Sequence, residues 1–228
     1  MFGSAIDAHP RILTLGARDH ALIASACGAA VAAAFERDDW TCKSCGIRLP
    51  GCMEIHHRHA HKPASSGDLE TICQPCHDLH HPVWAATRGR LVLVRAPHLS
   101  QPDLTRAAWG ILFARTAVEG LDLSVIDDAI KAARDAAIEV TGSDSAEAVL
   151  DALLSAKGTF GRSGIEKAAA CLDDQIRVLP SFAVPQGVYR TWTGAAFEDV
   201  DPCAILGSGG VKLPPADTLR SIVSAIAE

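Results

Sequence analysis

Apolar residues recur at helical spacing through most of the second half of this chain, and in the first half they alternate or cluster in short runs. Residues 11–15 (Arg-Ile-Leu-Thr-Leu) read as a strand closed by Gly16, and the Ala-rich, proline-free run from Ala17 to about Arg37 predicts a helix interrupted only by Gly28. Gly46 to His57 predicts a β-hairpin about a Pro50-Gly51 turn, with Met53, Ile55 and His57 alternating against Glu54 and His56. A Pro- and Ser-containing loop follows from His59 to Gly67. A helix is expected from Cys76 to about Thr87, with Pro82 as a kink and Gly89 as its end. Leu91-Val92-Leu93-Val94 reads as a strand ended by Pro97, and Ser100 and Pro102 mark the start of a helix over about 101–117. Ser124 with Asp127 opens a helix over about 124–140, striped by Ile126, Ile130, Ala133, Ala137 and Val140. Another runs from Ser145 to Lys157, and Ile165, Ala169, Leu172, Ile176 and Leu179 form a further helical stripe closed by Pro180. These stripes are core packing and carry no chemistry. Residues 201–215 look like a Gly/Pro-rich linker, and Asp217 to Glu228 like a short amphipathic helix. The fold class is therefore α+β. An N-terminal strand and packing helix (1–38) precede a cysteine- and histidine-rich module (39–96), a mainly helical body (97–200), and a linker and tail (201–228).

With 228 residues and 48% apolar content, the chain can bury a core and is not disordered. A net charge of -6 argues against a surface coated with phosphate-binding residues, though not against a local basic groove. Between Ala86 and Thr116 lie five arginines (Arg88, Arg90, Arg95, Arg106, Arg115) and a single acid, Asp103, which predicts a basic rim near the module and an acidic body beyond it. The apolar run Ala21 to Phe35, with Ala32-Ala33-Ala34, imitates a signal peptide. It is Ala-dominated, too short to span a bilayer, and preceded by Asp7 and Asp19, so a cytoplasmic protein without a membrane span is expected.

The chemistry gathers between Cys42 and His81, which holds seven of the ten histidines and two Cys-x-x-Cys pairs, Cys42/Cys45 and Cys73/Cys76. Four thiolates on two tight knuckles close a tetrahedral site with no position left for water, which points to structural Zn²⁺. Redox Cys-x-x-Cys motifs would call for a βαβ context and usually one pair. Cys27, Cys52, Cys171 and Cys203 read as free, mostly buried thiols. His77 and His81, four apart on the expected helix, share a face, and His56 can supply a third nitrogen. Three ligands leave open positions, as a catalytic metal requires. His57, turned the other way, suits a general base. His59, His61 and His80 read equally well as surface residues.

The series Cys-x-x-Cys, Glu-Ile-His-His (54–57) and Gly-Asp-Leu-Glu-Thr-Ile-Cys-Gln-Pro-Cys-His-Asp-Leu-His-His (67–81) resembles the HNH (ββα-metal) nuclease motif. The resemblance implies metal binding by His56, His77 and His81, with Mg²⁺, Mn²⁺, Ni²⁺ or Zn²⁺ as the second ion, and His57 as base. It places Glu54 where colicin-type DNases carry a buttressing glutamate, and Asp68 where the family has an asparagine that orients the base. Aspartate accepts a hydrogen bond there but donates none when ionised. DNA would be held by Arg88, Arg90 and Arg95.

A second resemblance covers more of the chain. Phe-Glu-Arg-Asp-Asp-Trp-Thr-Cys-Lys-Ser-Cys-Gly (35–46), Leu-Glu-Thr-Ile-Cys-Gln-Pro-Cys (69–76), Leu-Val-Leu-Val-Arg-Ala-Pro-His-Leu-Ser-Gln-Pro-Asp-Leu (91–104) and Asp-Gln-Ile-Arg-Val-Leu-Pro-Ser (174–181) are similar to the IcmJ/DotN proteins of type IVB secretion and related conjugation systems. This implies an HNH-like zinc module that binds type IV coupling complex proteins, in the cytoplasm and at the inner-membrane face through a partner. Members of that family can lack the catalytic histidines, which this chain keeps. Two expectations follow: a coupling-complex component, or an active metal-dependent HNH DNA endonuclease or nickase. A DNA-binding zinc module without catalysis ranks last, because the helix after Cys76 offers only Arg88 and Arg90 near its end.

Overall fold

The computed structural model describes residues 28–49, 53–57, 66–117 and 122–184. The expected strand at 11–15, the start of the first helix, the Pro50-Gly51 turn, the linker and the tail helix lie outside them. The described chain is mixed helix and sheet, mostly helical. In order it runs α1 (Gly28–Arg37), β1 (Glu54–His57), a 3₁₀ turn (Ser66–Asp68), β2 (Leu69–Ile72), α2 (Gln74–His80), α3 (Pro82–Ala86), β3 (Leu91–Arg95), α4 (Gln101–Ala117), α5 (Ser124–Thr141), α6 (Ala146–Gln175), β4 (Ile176–Pro180) and a closing 3₁₀ turn (Ser181–Ala183). Among the described residues no helix is long and apolar enough to cross a membrane.

Two antiparallel ribbons organise it. In the first, β1 pairs with β2, setting Glu54 opposite Ile72 and His57 opposite Leu69. The expected hairpin partner of β1 was 46–49. That segment instead folds back on the first cysteine knuckle, through Cys42 N–H to Ile47 O (2.8 Å) and Leu49 N–H to Trp40 O (3.1 Å). There Ile47 and Leu49 are buried with the cysteines, so burial chose the partner. In the second ribbon β3 pairs with β4, from Leu91 opposite Pro180 to Arg95 opposite Ile176. Period-two alternation lets this ribbon separate two cores. Leu91, Leu93, Ile176 and Val178 pack with Ala137, Leu150 and Ile165 of the helices. Val94 and Leu179 face the other way, into a core shared by the four cysteines, Leu104, Leu112, Ile130 and Phe182.

Three helical expectations are corrected. The helix after Cys76 does not run to Thr87: it starts at Gln74, stops at His80, and restarts at Pro82, with His81 at φ -126°, ψ 55°. Proline lacks the N–H and pushes its predecessor out of the helical region. The stripe ending at Leu179 is helical only to Gln175, because its β-branched end, Ile176 to Val178, pairs with β3. Within α6, Gly161 at φ 65° breaks the helix between the two expected segments. On α5, Ala129 is buried where Val140 was expected, and Asp122 Oδ1 accepts from the Ser124 N–H (2.9 Å) at the helix start, where Ser124 was expected as the cap. Cys171 is exposed, against the expectation of burial, while Cys27, Cys52 and Cys203 lie outside the described residues.

Candidate metal centres

The first knuckle is a tight turn. Gly46 at φ 77° lets its N–H reach Cys42 O (2.9 Å), and Cys45 N–H points at Cys42 Sγ (3.5 Å). The second is the start of α2: Cys73 is its extended N-cap, and His77 N–H closes the first turn on Cys73 O (2.9 Å). The sulfurs of Cys42, Cys45, Cys73 and Cys76 lie within 4.8 Å of one another, all buried, with Cys45 and Cys73 Sγ 3.6 Å apart. A tetrahedron with Zn–S bonds of ~2.3 Å has edges of about 3.8 Å. Burial pushes the Cys73 thiol well up, and the neighbouring thiols add to it, so four thiolates here call for a cation. The cluster could hold a metal such as zinc.

Asp38 ties this knuckle to α1 and β2. Its carboxyl accepts from Arg37 Nε and Nη2 (2.8 and 2.6 Å), from Lys43 Nζ (2.8 Å) and from Thr71 N–H (3.2 Å). Burial opposes its charge, but these bonds outweigh burial and hold its pKa far below the usual carboxylate range. The next two residues, Asp39 and Trp40, are left-handed (φ 47° and 52°), and Trp40 stacks on Phe35 of α1 at 4.4 Å. Nothing in the motif spacing singled out Asp38.

The histidines gather on one side of the β1–β2–α2 unit. One ring nitrogen from each of His56, His77 and His81 lies within 4.8 Å of the others. His81 arrives from the helix break rather than from the helix face the i, i+4 spacing implied. Glu54 Oε2 sits 2.6 Å from His77 Nδ1, which assigns the proton to Nδ1 and leaves Nε2 for a metal. Burial first, then the surrounding His80, His77, His81 and His57, pushes His56 down to about 3, so its imidazole is neutral with a lone pair to give. His80, exposed at the end of α2, stacks on His56 at 4.1 Å. Its i+3 spacing from His77 was the available signal for that placement. These residues fit a nitrogen-rich divalent site.

The other expected site residues are more dispersed. His57 follows His56 on β1, and strand alternation turns it to the opposite face. Asp68 closes the 3₁₀ turn directly before Leu69, the partner of His57. His59 and His61 lie outside the described residues. Several cations of the expected basic rim are engaged internally. Arg90 pairs with Asp78 (3.2 Å), Arg115 with Asp127, and Arg106 with Asp103 and with Cys45 O (3.0 Å). Burial pushes Asp78 up to about 7 against the pull of Arg90. Arg88 and Arg95 remain at the surface. No protein-family model and no curated protein matches this chain.

Proposed function

We propose that the chain is a zinc-stabilised, HNH-like (ββα-metal) protein of the IcmJ/DotN kind, a component of a type IVB secretion or conjugation coupling complex. The observation that carries this reading is how the separate stretches of the resemblance meet. Leu91–Arg95 pairs as β3 with Ile176–Pro180, which belongs to the last and most distant of the four stretches. Gln101 joins them, its Nε2 donating to Val178 O (2.7 Å) and its Oε1 accepting from Val178 N–H (2.9 Å). Arg177 Nε donates to Leu99 O (2.7 Å), and Leu104 and Leu179 share a core with the four cysteines. Short matching words that contact one another are what a shared architecture requires; chance matches would scatter. In this reading Zn²⁺ holds the knuckles, β1–β2 and α2 as a rigid block, and the helical body docks on the partner. Co-purification with the coupling ATPase and its adaptors under reducing conditions tests it, and absence of association overturns it.

The histidine cluster supports a second reading, a divalent-metal-dependent DNA endonuclease or nickase. A bound ion there would polarise the scissile phosphate and stabilise the leaving oxygen. His56, His77 and His81 would hold it, with Glu54 fixing the His77 ring. His57 would take the proton of the attacking water at a ring nitrogen, and Asp68 beside it would accept a bond that orients it. Plasmid nicking in Mg²⁺, Mn²⁺ or Ni²⁺ by wild type and His57→Ala decides this: loss in the variant supports it, and equal activity overturns it.

A further inference from the structure

The chain leaving the histidine cluster builds a second feature. Helix α3 starts directly after His81, and two guanidinium groups lie over the ring of its Trp84: Arg88 Cζ at 3.9 Å and Arg90 Cζ at 4.6 Å from the centroid. The two cations are held differently. Arg90 is braced against Asp78, the side chains being 15% and 8% exposed. Arg88 is exposed, gives one hydrogen bond to Trp84 O (3.3 Å), and makes no ion pair among the described residues. Trp84 Nε1 has no acceptor among them either. Two cations and an indole N–H therefore gather on one ring against one carboxylate. Desolvation, then the neighbouring Arg90, lowers the pKa of Arg88, and Asp78 offsets them only in part.

We propose that Arg88, laid on Trp84, is an anion-binding residue that takes a phosphate oxygen of a DNA strand passing the histidine cluster. The proposal rests on the nuclease reading, since it names how the substrate of that site is held. A guanidinium keeps its remaining donors in a fixed fork that matches phosphate. Stacking on the ring limits the rotamer freedom lost on binding. With a guanidinium over it, that face of Trp84 cannot stack on a base, so the contact reads backbone and not sequence. Arg88 follows His81 by seven residues of helix and turn, about 10 Å of backbone at the helical rise, or some three nucleotide steps along a strand. The three arginines thus divide. Arg88 contacts DNA, Arg90 supports the platform, and Arg95, at the other end of β3 from Arg90, takes no part.

The test is anisotropy of a labelled DNA duplex, measured in a His57→Ala background over a range of salt so that cleavage does not intervene. Arg88→Gln should weaken binding about 5–10-fold on two unrelated sequences and lower the salt dependence by about one ion, with Arg88→Lys between it and the parent and Arg95→Gln at the parent value. Unchanged zinc content and far-ultraviolet circular dichroism establish that Arg88→Gln is folded. Parent-like affinity and salt slope in Arg88→Gln, or no binding by the parent, overturns the proposal. So does displacement of DNA by inorganic phosphate below millimolar concentration, which makes this a small-anion site. If wild type nicks no plasmid while Arg88→Gln still weakens binding, the nuclease reading falls and the anion site stands. Nicking with no effect of Arg88→Gln on binding sinks the anion site alone.

Discussion

Replacing Asp38 by Asn keeps the shape of a buried group and removes its charge. The carboxyl has no exposed surface, although it lies near the surface beneath half-exposed caps: the Arg37 and Lys43 side chains are 42% and 46% exposed. Solvent screens those two pairs, so each contributes no more than about 0.5 kcal/mol. Thr71 is fully buried, and its N–H donates to Asp38 Oδ2 at 3.2 Å. An asparagine meets four donors with a single acceptor oxygen and must turn its NH₂ toward some of them. One buried donor left unsatisfied costs about 1–3 kcal/mol. The sum is about 2–4 kcal/mol, read as a lower denaturant midpoint at constant slope, in saturating zinc and at neutral pH. The pH dependence has a definite sign. Hydrogen bonds depress the folded pKa of Asp38 despite burial, so its contribution is complete above the unfolded value of about 3.9. It is lost as pH falls through the depressed folded value. The gap between wild type and Asp38→Asn should therefore hold down to about pH 4 and narrow below it. A difference under about 1 kcal/mol at neutral pH, or one that widens in acid, refutes the reasoning.

Three further outcomes follow from the same geometry. Cys76→Ser should abolish zinc retention and cooperative unfolding together. Structural zinc contributes about 10–16 kcal/mol of apparent binding energy, as much as a whole domain's stability of about 5–15 kcal/mol. A metal-free variant with an intact melting transition would contradict this. Glu54→Gln should weaken Co²⁺ or Zn²⁺ binding at the histidine cluster about 10–100-fold, because the neutral amide no longer polarises His77 through Nδ1. Calorimetric titration of protein with a loaded cysteine site checks this, and an unchanged affinity counts against the assignment. Gly142→Val should cost about 1–2 kcal/mol in thermal stability, since Gly142 closes α5 at φ 76° with its N–H on Ile138 O (2.7 Å), a left-handed cap that a β-branched residue strains. An unchanged melting temperature would show that the cap relaxes freely.

The parts legible in the sequence are those written locally. Two Cys-x-x-Cys turns, each a few residues long, announce a four-sulfur cluster whatever surrounds them, and the sulfurs do converge. The helix over 101–117 appears where Ser100 and Pro102 marked its start, and the helix at 124–141 appears where the apolar period placed it, because start signals and i, i+3 and i, i+4 burial are properties of the segment itself. Pro82 also carried a local signal for the break at His81, and reading it as a kink understated the constraint a proline places on the residue before it.

What only the tertiary structure decided depends on partners far along the chain. Nothing local told β1 to pair with 69–72 rather than 46–49, or turned Ile176–Pro180 from the end of a helical stripe into a strand; those choices follow from which faces could be buried together. Charge was similarly undetermined. Counting arginines from Ala86 to Thr116 predicts a basic rim, yet Arg90 and Arg115 are paired with acids that folding brings to them, and Arg106 with Asp103 one helical turn before it. Asp38 and Asp78, given no role by the sequence, are buried and ion-paired. The sequence alone determined which ligands exist, because ligand chemistry belongs to each side chain. The tertiary structure decided which ligands face one another and which charges are spent, because desolvation and pairing are properties of places in the fold.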